Sequence, residues 1–355
     1  MRKNLCIIDY IGNSDSKGNP IGHPIKVINE YSELLKNDID ISLVIPKNYQ
    51  GRINLKNIHH VIWLEFYMDI TAKNLFKKLK NILGRIYNVI SSLKNKEDEI
   101  LWYINIDFIL LMILTLYPVK KSGKKIWITT YIQEYTEGSV LKNKIKNFFY
   151  FKGINKIDKI ITSNHNLKFA APTIFLPDYF YDPQFYNKYL EVKKKKQVLC
   201  IGTINNSKDI EGVVGVFSHI DLPLKIIGKF HDREMYNKLV KNASPNILIK
   251  DQYLSEDDYY TLIAESLFVI LPYKQESYSE RTSGVLLETV FLNSIPIAPW
   301  YLLKFNAIDG IGYNDLSEII SILKSSNLIN ESSNESKKNE YDINFIKRKI
   351  LQLII

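Results

Sequence analysis

Short β-branched and aromatic runs alternate with helical patterns from one end of the chain to the other. "NLCIIDYI" (4–11), "ISLVIP" (41–46), "HVIWLEF" (60–66), "ILWYIN" (100–105), "KIWITTYI" (125–132), "KIIT" (159–162) and "TIFLP" (173–177) read as strands, with helix-length segments between most of them. The second half repeats the rhythm with "QVLCIGT" (197–203), "LKIIGKF" (224–230), "NILIKD" (246–251), "LFVILPY" (267–273) and "IPIAPW" (295–300). Such unbroken apolar runs suit strands buried on both faces, and the intervening helices suit parallel crossovers. The expected class is α/β, with parallel sheets covered on both faces.

A length of 355 residues also favours two domains. The lysine run in "YLEVKKKKQ" (189–197) separates the two series and reads as a linker, giving a first domain at 1–190 and a second at 191–315. Residues 316–355 are expected to form C-terminal helices and a polar loop: "NLINESSNESKKNE" (327–340) reads as loop, "YDINFIKRKILQLII" (341–355) as an amphipathic helix. Cys6 and Cys200 each sit in an apolar strand and read as buried thiols of a reducing compartment. The N-terminal apolar core is short for a signal peptide, and "FILLMILTLY" is about half of the ~20 residues a membrane span needs. The expected location is cytoplasmic, with an option of peripheral attachment to the inner face of the plasma membrane. A net charge of +9 suits a phosphorylated ligand, a membrane surface or nucleic acid, but no nucleic-acid recognition motif accompanies the basic residues.

Open α/β sheets bind ligands at the carboxyl ends of their strands, so the residues there come first. After "VLCIGT", Gly202 permits a sharp turn, Ser207 is placed to cap the next helix, and Lys208 and Asp209 fall in its first turn. Lys208 reads either as a solvated lysine or as a cation aimed at the crevice; a helix start is a poor place for the former. After "VILPY" comes "ESYSERTSGVLLETVFLNSIPIAPWY" (276–301). Thr282 or Ser283 is expected to cap a helix, Gly284 allows close backbone approach, and the free N–H groups there form an anion site. Eight helical residues rise about 12 Å, so Glu280 and Glu288 can flank a diphosphate. Two glutamates at that spacing are commonplace; their weight comes from the strand, loop, helix and strand around them.

The segment 197–301 resembles GT-B nucleotide-sugar glycosyltransferases, closest to glycosyltransferase family 4. The family's E-x7-E signature is present as "ERTSGVLLE", its following P-[VI]-[IV]-[AG] strand as "PIAP", and its lysine after a glycine-ended strand as "GTINNSK". The resemblance implies two Rossmann-like domains facing a central cleft, a nucleotide-diphosphate-sugar donor, no metal and no other cofactor. It places Glu280 on the transferred sugar and Glu288 on the ribose hydroxyls. The amides of Ser283, Gly284 and Val285 would take the distal phosphate, Lys208 the leaving diphosphate, and residues 251–254, Tyr253 among them, the nucleobase. Thr203 stands where the family has arginine, so a second cation would have to come from Arg281 or Lys229.

Over the first half the resemblance is architectural. "DYIGNSDSKGNPIGHPIKV" is a glycine-containing loop without the G-x-G-x-x-G spacing; the family places such a loop over acceptor and phosphate, which singles out Gly22 and His23. His23 reads equally as an exposed or capping residue. "ITTYIQEYTEG" lacks the family's histidine, leaving Gln133 and Glu134; Glu134 would be a general base in an inverting enzyme or a first-turn helix acid. Family members are mostly retaining. Asp38-Ile39-Asp40 is read as turn chemistry, and no His/Cys cluster has metal-ligand spacing.

"FKKLKNILGR" (76–85) and "LKNKIKNFFYFKG" (141–153) mix lysines, including Lys142, Lys144, Lys146 and Lys152, with large apolar residues. Each is either a helix with its aromatic face in the core or a helix lying on an anionic membrane. The expected function is transfer of a sugar from a nucleotide-diphosphate-sugar to a saccharide or lipid-linked saccharide, in bacterial capsule or lipopolysaccharide synthesis. The alternatives are a degenerate GT-B subunit supporting a partner transferase and a sugar-nucleotide epimerase of the same fold.

Overall fold

The computed structural model describes residues 3–94, 98–118, 123–130, 141–167, 169–278, 282–324 and 334–354. The chain divides into two compact units: residues 1–178 with 346–355, and residues 179–345.

The strands of the first unit are β1 (Asn4–Ile8), β2 (Asn13–Ser14), β3 (Asp40–Pro46), β4 (His60–Leu64), β5 (Met68–Asp69), β6 (Ile100–Tyr103), β7 (Lys125–Thr129), β8 (Lys159–Thr162) and β9 (Thr173–Phe175). β2 and β5 make a separate ribbon; the other seven form one parallel sheet in the order β4-β3-β1-β6-β7-β8-β9. Leu5, Cys6, Ile7 and Ile8 of β1 are all fully buried, as a strand covered on both faces requires. Helix α1 (Pro24–Leu35) crosses one way along the sheet. α2 (Leu75–Leu93), α3 (Phe108–Leu116) and α4 (Leu141–Ile154) cross the other way, so right-handed connections put these three on the opposite face. The apolar α3 is capped by Asp107, packs against both neighbours, and meets α4 so closely that a Cβ on Gly153 would lie 2.7 Å from the Leu111 carbonyl oxygen. Among the described residues no helix is long and apolar enough to cross a membrane.

The second unit holds β10 (Lys195–Ile201), β11 (Leu224–Gly228), β12 (Ile247–Asp251), β13 (Ser266–Ile270), β14 (Ile295–Pro299) and β15 (Ile311–Tyr313), all parallel, in the order β12-β11-β10-β13-β14-β15. Strand order reverses beside β10, the position where doubly wound sheets open a ligand crevice. Its helices are α5 (Pro183–Leu190), α6 (Ile210–Phe217), α7 (Arg233–Asn242), α8 (Glu256–Glu265), α9 (Gln275–Tyr278), α10 (Gly284–Phe291), α11 (Trp300–Asn306), α12 (Glu318–Lys324) and α13 (Glu335–Tyr341), while most of α14 (Ile343–Ile354) is counted with the first unit.

Two sequence expectations change here. The lysine run is not a linker: Lys195 opens β10, and the Lys194 amine donates to Ser266 O, Leu292 O and Ser294 Oγ, tying the strand to its neighbours. The units instead part after Asp178, and residues 316–345 fold with the second unit. The polar stretch read as loop to residue 340 contains α13, where Lys337 and Lys338 are buried through their stems and the Lys338 amine donates to Asn293 Oδ1. Residues 325–333 lie outside the described residues.

Candidate active site

The site is built from four chain segments that meet at the carboxyl end of the second sheet. β10 is followed by Gly202, whose φ of +91° is left-handed and favours glycine. β11 ends beside it in Gly228, and a Cβ there would lie 1.8 Å from Gly202 O, so only glycine lets the two strand ends run this close. The backbones stay joined: Gly202 N donates to Ile227 O at 3.3 Å and Ile204 N to Lys229 O at 2.9 Å.

The following loop is stapled to the chain after β13 by hydrogen bonds from Asp209 N to Pro272 O and from Lys274 N to Ser207 O, each 2.8 Å. This pairing ends at Asp209, which caps α6 by accepting from Gly212 N. The expected cap, Ser207, is instead turned onto Asn205 Oδ1 at 2.6 Å, and Lys208 precedes the helix rather than lying in its first turn. Lys208 folds back beneath the strand end. It is 7% exposed, its amine donates to Ile201 O at 3.0 Å, and it lies 5.5 Å from the centre of the Tyr273 ring. Among the described residues no carboxylate pairs with it, and burial pushes its pKa down. A Cβ built on Gly202 would be 3.9 Å from this amine and 3.7 Å from Val285 Cγ2, so Gly202, Lys208 and the start of α10 share one corner.

Ser283 occupies the cap position of α10, but its hydroxyl is 2.9 Å from the Tyr273 hydroxyl and caps nothing, contrary to expectation. Gly284 is required for packing: a Cβ would sit 2.3 Å from the Tyr179 hydroxyl. Glu288, one turn on, is 6% exposed and accepts from Tyr259 at 2.6 Å and Tyr260 at 3.2 Å, both on α8. Burial, and then the Glu288 charge, raise both phenol pKa values, so both remain hydrogen-bond donors.

A cavity of about 360 Å³ opens over this edge, lined by Gly202, Thr203, Gly228, Lys229, Tyr253 and Tyr259 among others. Lys229 is held by Asp251 at 3.1 Å and lies 5.7 Å from the centre of the Tyr253 ring. Asp251 is kept below its usual range by the Phe230 N–H and by Lys229. Tyr253 is 84% exposed at the cavity mouth.

No family model and no curated protein matches the chain. Solved structures do. HepE of Anabaena, in complex with UDP and glucose, is 9% identical with a TM-score of 0.62, covering 99% of each chain. AviGT4, a glycosyltransferase involved in avilamycin A biosynthesis, is 11% identical with a TM-score of 0.60, over 99% of this chain and 97% of that one. The trehalose-6-phosphate synthase OtsA is 10% identical with a TM-score of 0.63, over 99% of each. The fold is GT-B. Likeness at this identity concerns the path of the GT-B chain, so the roles of individual residues rest on their own geometry.

In this GT-B chain, Gly202, Thr203 and Tyr253 line one cavity, with Lys208 and Val285 meeting at Gly202 and Glu288 joined to the cavity wall through Tyr259. Glu280, Arg281, Gln133 and Glu134 lie outside the described residues. Gly22 and His23 belong to the first unit, where Gly22 has a φ of +95° and His23 precedes α1 without capping it. Asp38 is paired with Lys347 at 2.7 Å, and no acidic, His and Cys group among the described residues could hold a metal. Tyr259, Tyr260 and Gly228 were not picked out from sequence; the repeated strand-plus-glycine endings "VLCIG" and "LKIIG" carried the hint for Gly228.

Proposed function

We propose that the second unit binds a nucleotide-diphosphate-sugar and that the chain transfers its sugar to a saccharide or lipid-linked saccharide. The observation that carries this reading is the buried Lys208 amine, packed behind the Gly202 that lines a strand-end cavity and with no carboxylate partner among the described residues. An ammonium has three donors; one is used on Ile201 O, and phosphate oxygens would suit the others. Glu288, held by two tyrosines, would accept the ribose hydroxyls, and Tyr253 offers a ring for the base. Lys229, lining the cavity beside Thr203, is the cation that would offset the missing arginine. The amides of Ser283, Gly284 and Val285 would meet the distal phosphate, and Glu280 the sugar. In this reading the reaction is retaining and metal-independent, Glu134 would serve as base only in an inverting reaction, and Gly22 and His23 belong to the acceptor-side loop. HepE, of like fold, is in complex with UDP and glucose, which favours a UDP-sugar. The setting would be bacterial capsule or lipopolysaccharide assembly, on an acceptor carried at the inner membrane face.

The test is thermal shift with UDP-sugars. A ligand at 100 times its Kd should add about 2.7 kcal/mol of stability. Lys208→Ala should weaken binding about 10- to 100-fold, the range for a charged hydrogen bond, and Glu288→Ala similarly. Wild-type affinity in both variants, or no shift with any nucleotide-diphosphate-sugar, would refute the site.

A further inference from the structure

Helix α2 leaves a stripe of apolar side chains uncovered at four-residue intervals: Leu75 (81% exposed), Leu79 (51%), Leu83 (56%) and Tyr87 (54%), with Phe76 (75%) beside it. A hollow of about 410 Å³ runs along the stripe against Phe66, where a Cβ on Gly84 would lie 2.8 Å from Phe66 Cβ. Scattered exposed leucines are ordinary; a contiguous row is not. On the same face of the sheet, α4 turns Phe149 onto Phe108 of α3, ring centres 5.5 Å apart, and exposes Ile145, Phe148 and Phe151.

The charge on these helices selects the occupant. α2 and α4 each contain four basic residues and no acidic one, against a net of +9 for the whole chain. Arg85 is bound by Asp107 and Lys77 lies 3.7 Å from Asp69, but Lys78, Lys80, Lys144, Lys146 and Lys152 have no acidic partner among the described residues. A second copy of this face would bring like charges together. An anionic lipid surface offers apolar depth and negative headgroups at once.

We propose that the α2–α4 face of the first unit docks on an anionic membrane surface, with the Leu75–Leu79–Leu83 stripe entering the headgroup layer and the lysines meeting lipid phosphates. This deepens the proposal of a lipid-borne acceptor, but its test uses no transfer reaction. The full chain should float with phosphatidylglycerol-containing vesicles at low salt, be released at high salt, and ignore pure phosphatidylcholine vesicles. The double variant Leu79→Glu/Leu83→Glu should abolish flotation. Lys78→Ala/Lys80→Ala should lower partitioning roughly thirtyfold. Both should keep the wild-type melting temperature and its shift with UDP-sugar, since the altered side chains are exposed. Absence of flotation, or undiminished flotation in both variants, overturns the proposal. So does a wild-type dimer that Leu79→Glu/Leu83→Glu dissolves without any lipid binding, which would assign the face to a second copy. Lost flotation with an intact nucleotide shift would leave the donor site standing.

Discussion

At the carboxyl end of the first strand of the first sheet a carboxylate is buried; at the same place in the second sheet a lysine is. Asp9, just after β1, is 0% exposed and takes hydrogen bonds from Ile11 N, Gly12 N, Asn105 Nδ2 and the Tyr49 hydroxyl. Burial raises its pKa, those donors oppose part of that rise, and they fix the loop that follows. Lys208 uses one donor on Ile201 O, behind the Gly202 that lines a cavity. Six strands of the first sheet follow the order of the second, so the difference lies in the loops: a buried group with a full shell holds structure, and under the proposed function one with donors to spare would meet a ligand.

The sharpest way to break this contrast is Asp9→Ala. It would leave four donors without their acceptor, at a cost of about 3–5 kcal/mol. Urea unfolding should show that loss while the folded fraction keeps its affinity for UDP-sugar. A cost below about 1 kcal/mol, or a folded variant with no nucleotide binding, would make Asp9 something other than a structural carboxylate.

The contrast was only partly legible in the sequence. Strands were legible because burial on both faces leaves unbroken apolar runs such as "VLCI" and "IIG", and the glycine and lysine after β10 were legible by position. Asp9 was not, because two of its four partners, Tyr49 and Asn105, arrive from 40 and 96 residues away. Glu288 was picked out, but not its tyrosine partners, which arrive from another helix. The cap of α6 was misassigned between two good cap formers, Ser207 and Asp209. The pairing of Asp209 N with Pro272 O, invisible locally, decides it. Composition reports the charge of the lysine run, whereas Lys194 and Lys195 are placed by acceptors far along the chain.

Lys194 sharpens the comparison within the second unit. It lies at the amino end of β10, has three oxygen acceptors, and burial, with a smaller push from Lys338, takes its pKa down to about 7. Its unfolded value is that of an ordinary lysine, 10.5. Between these values the unfolded chain holds a proton that the folded chain lacks, so stability climbs as pH rises above 7. The slope approaches ~1.4 kcal/mol per pH unit. The destabilisation is complete below the folded value and gone above the unfolded one. Urea unfolding at pH 7 and pH 8.5 should show a gain of about 1–2 kcal/mol in the wild type and a flatter response in Lys194→Met. Equal slopes would mean that Lys194 stays charged in its oxygen cage.

The smallest effect, and the most discriminating, is Tyr259→Phe. The ring stays in the cavity wall, and only the hydroxyl that donates to Glu288 at 2.6 Å is lost; Tyr260 remains at 3.2 Å. A hydroxyl donor to a carboxylate contributes about 1.5–3 kcal/mol to holding Glu288, and with Tyr260 still in place about 1 kcal/mol of that should reach the ligand, lowering UDP affinity roughly three- to tenfold. If Glu288 reads the ribose, inorganic diphosphate, which has none, should bind the variant as it binds the wild type, while Lys208→Ala weakens both ligands. A parallel loss for UDP and diphosphate in Tyr259→Phe would place the tyrosine among the groups that shape the anion corner. The division of labour between Lys208 and the Tyr259–Glu288 pair would then collapse.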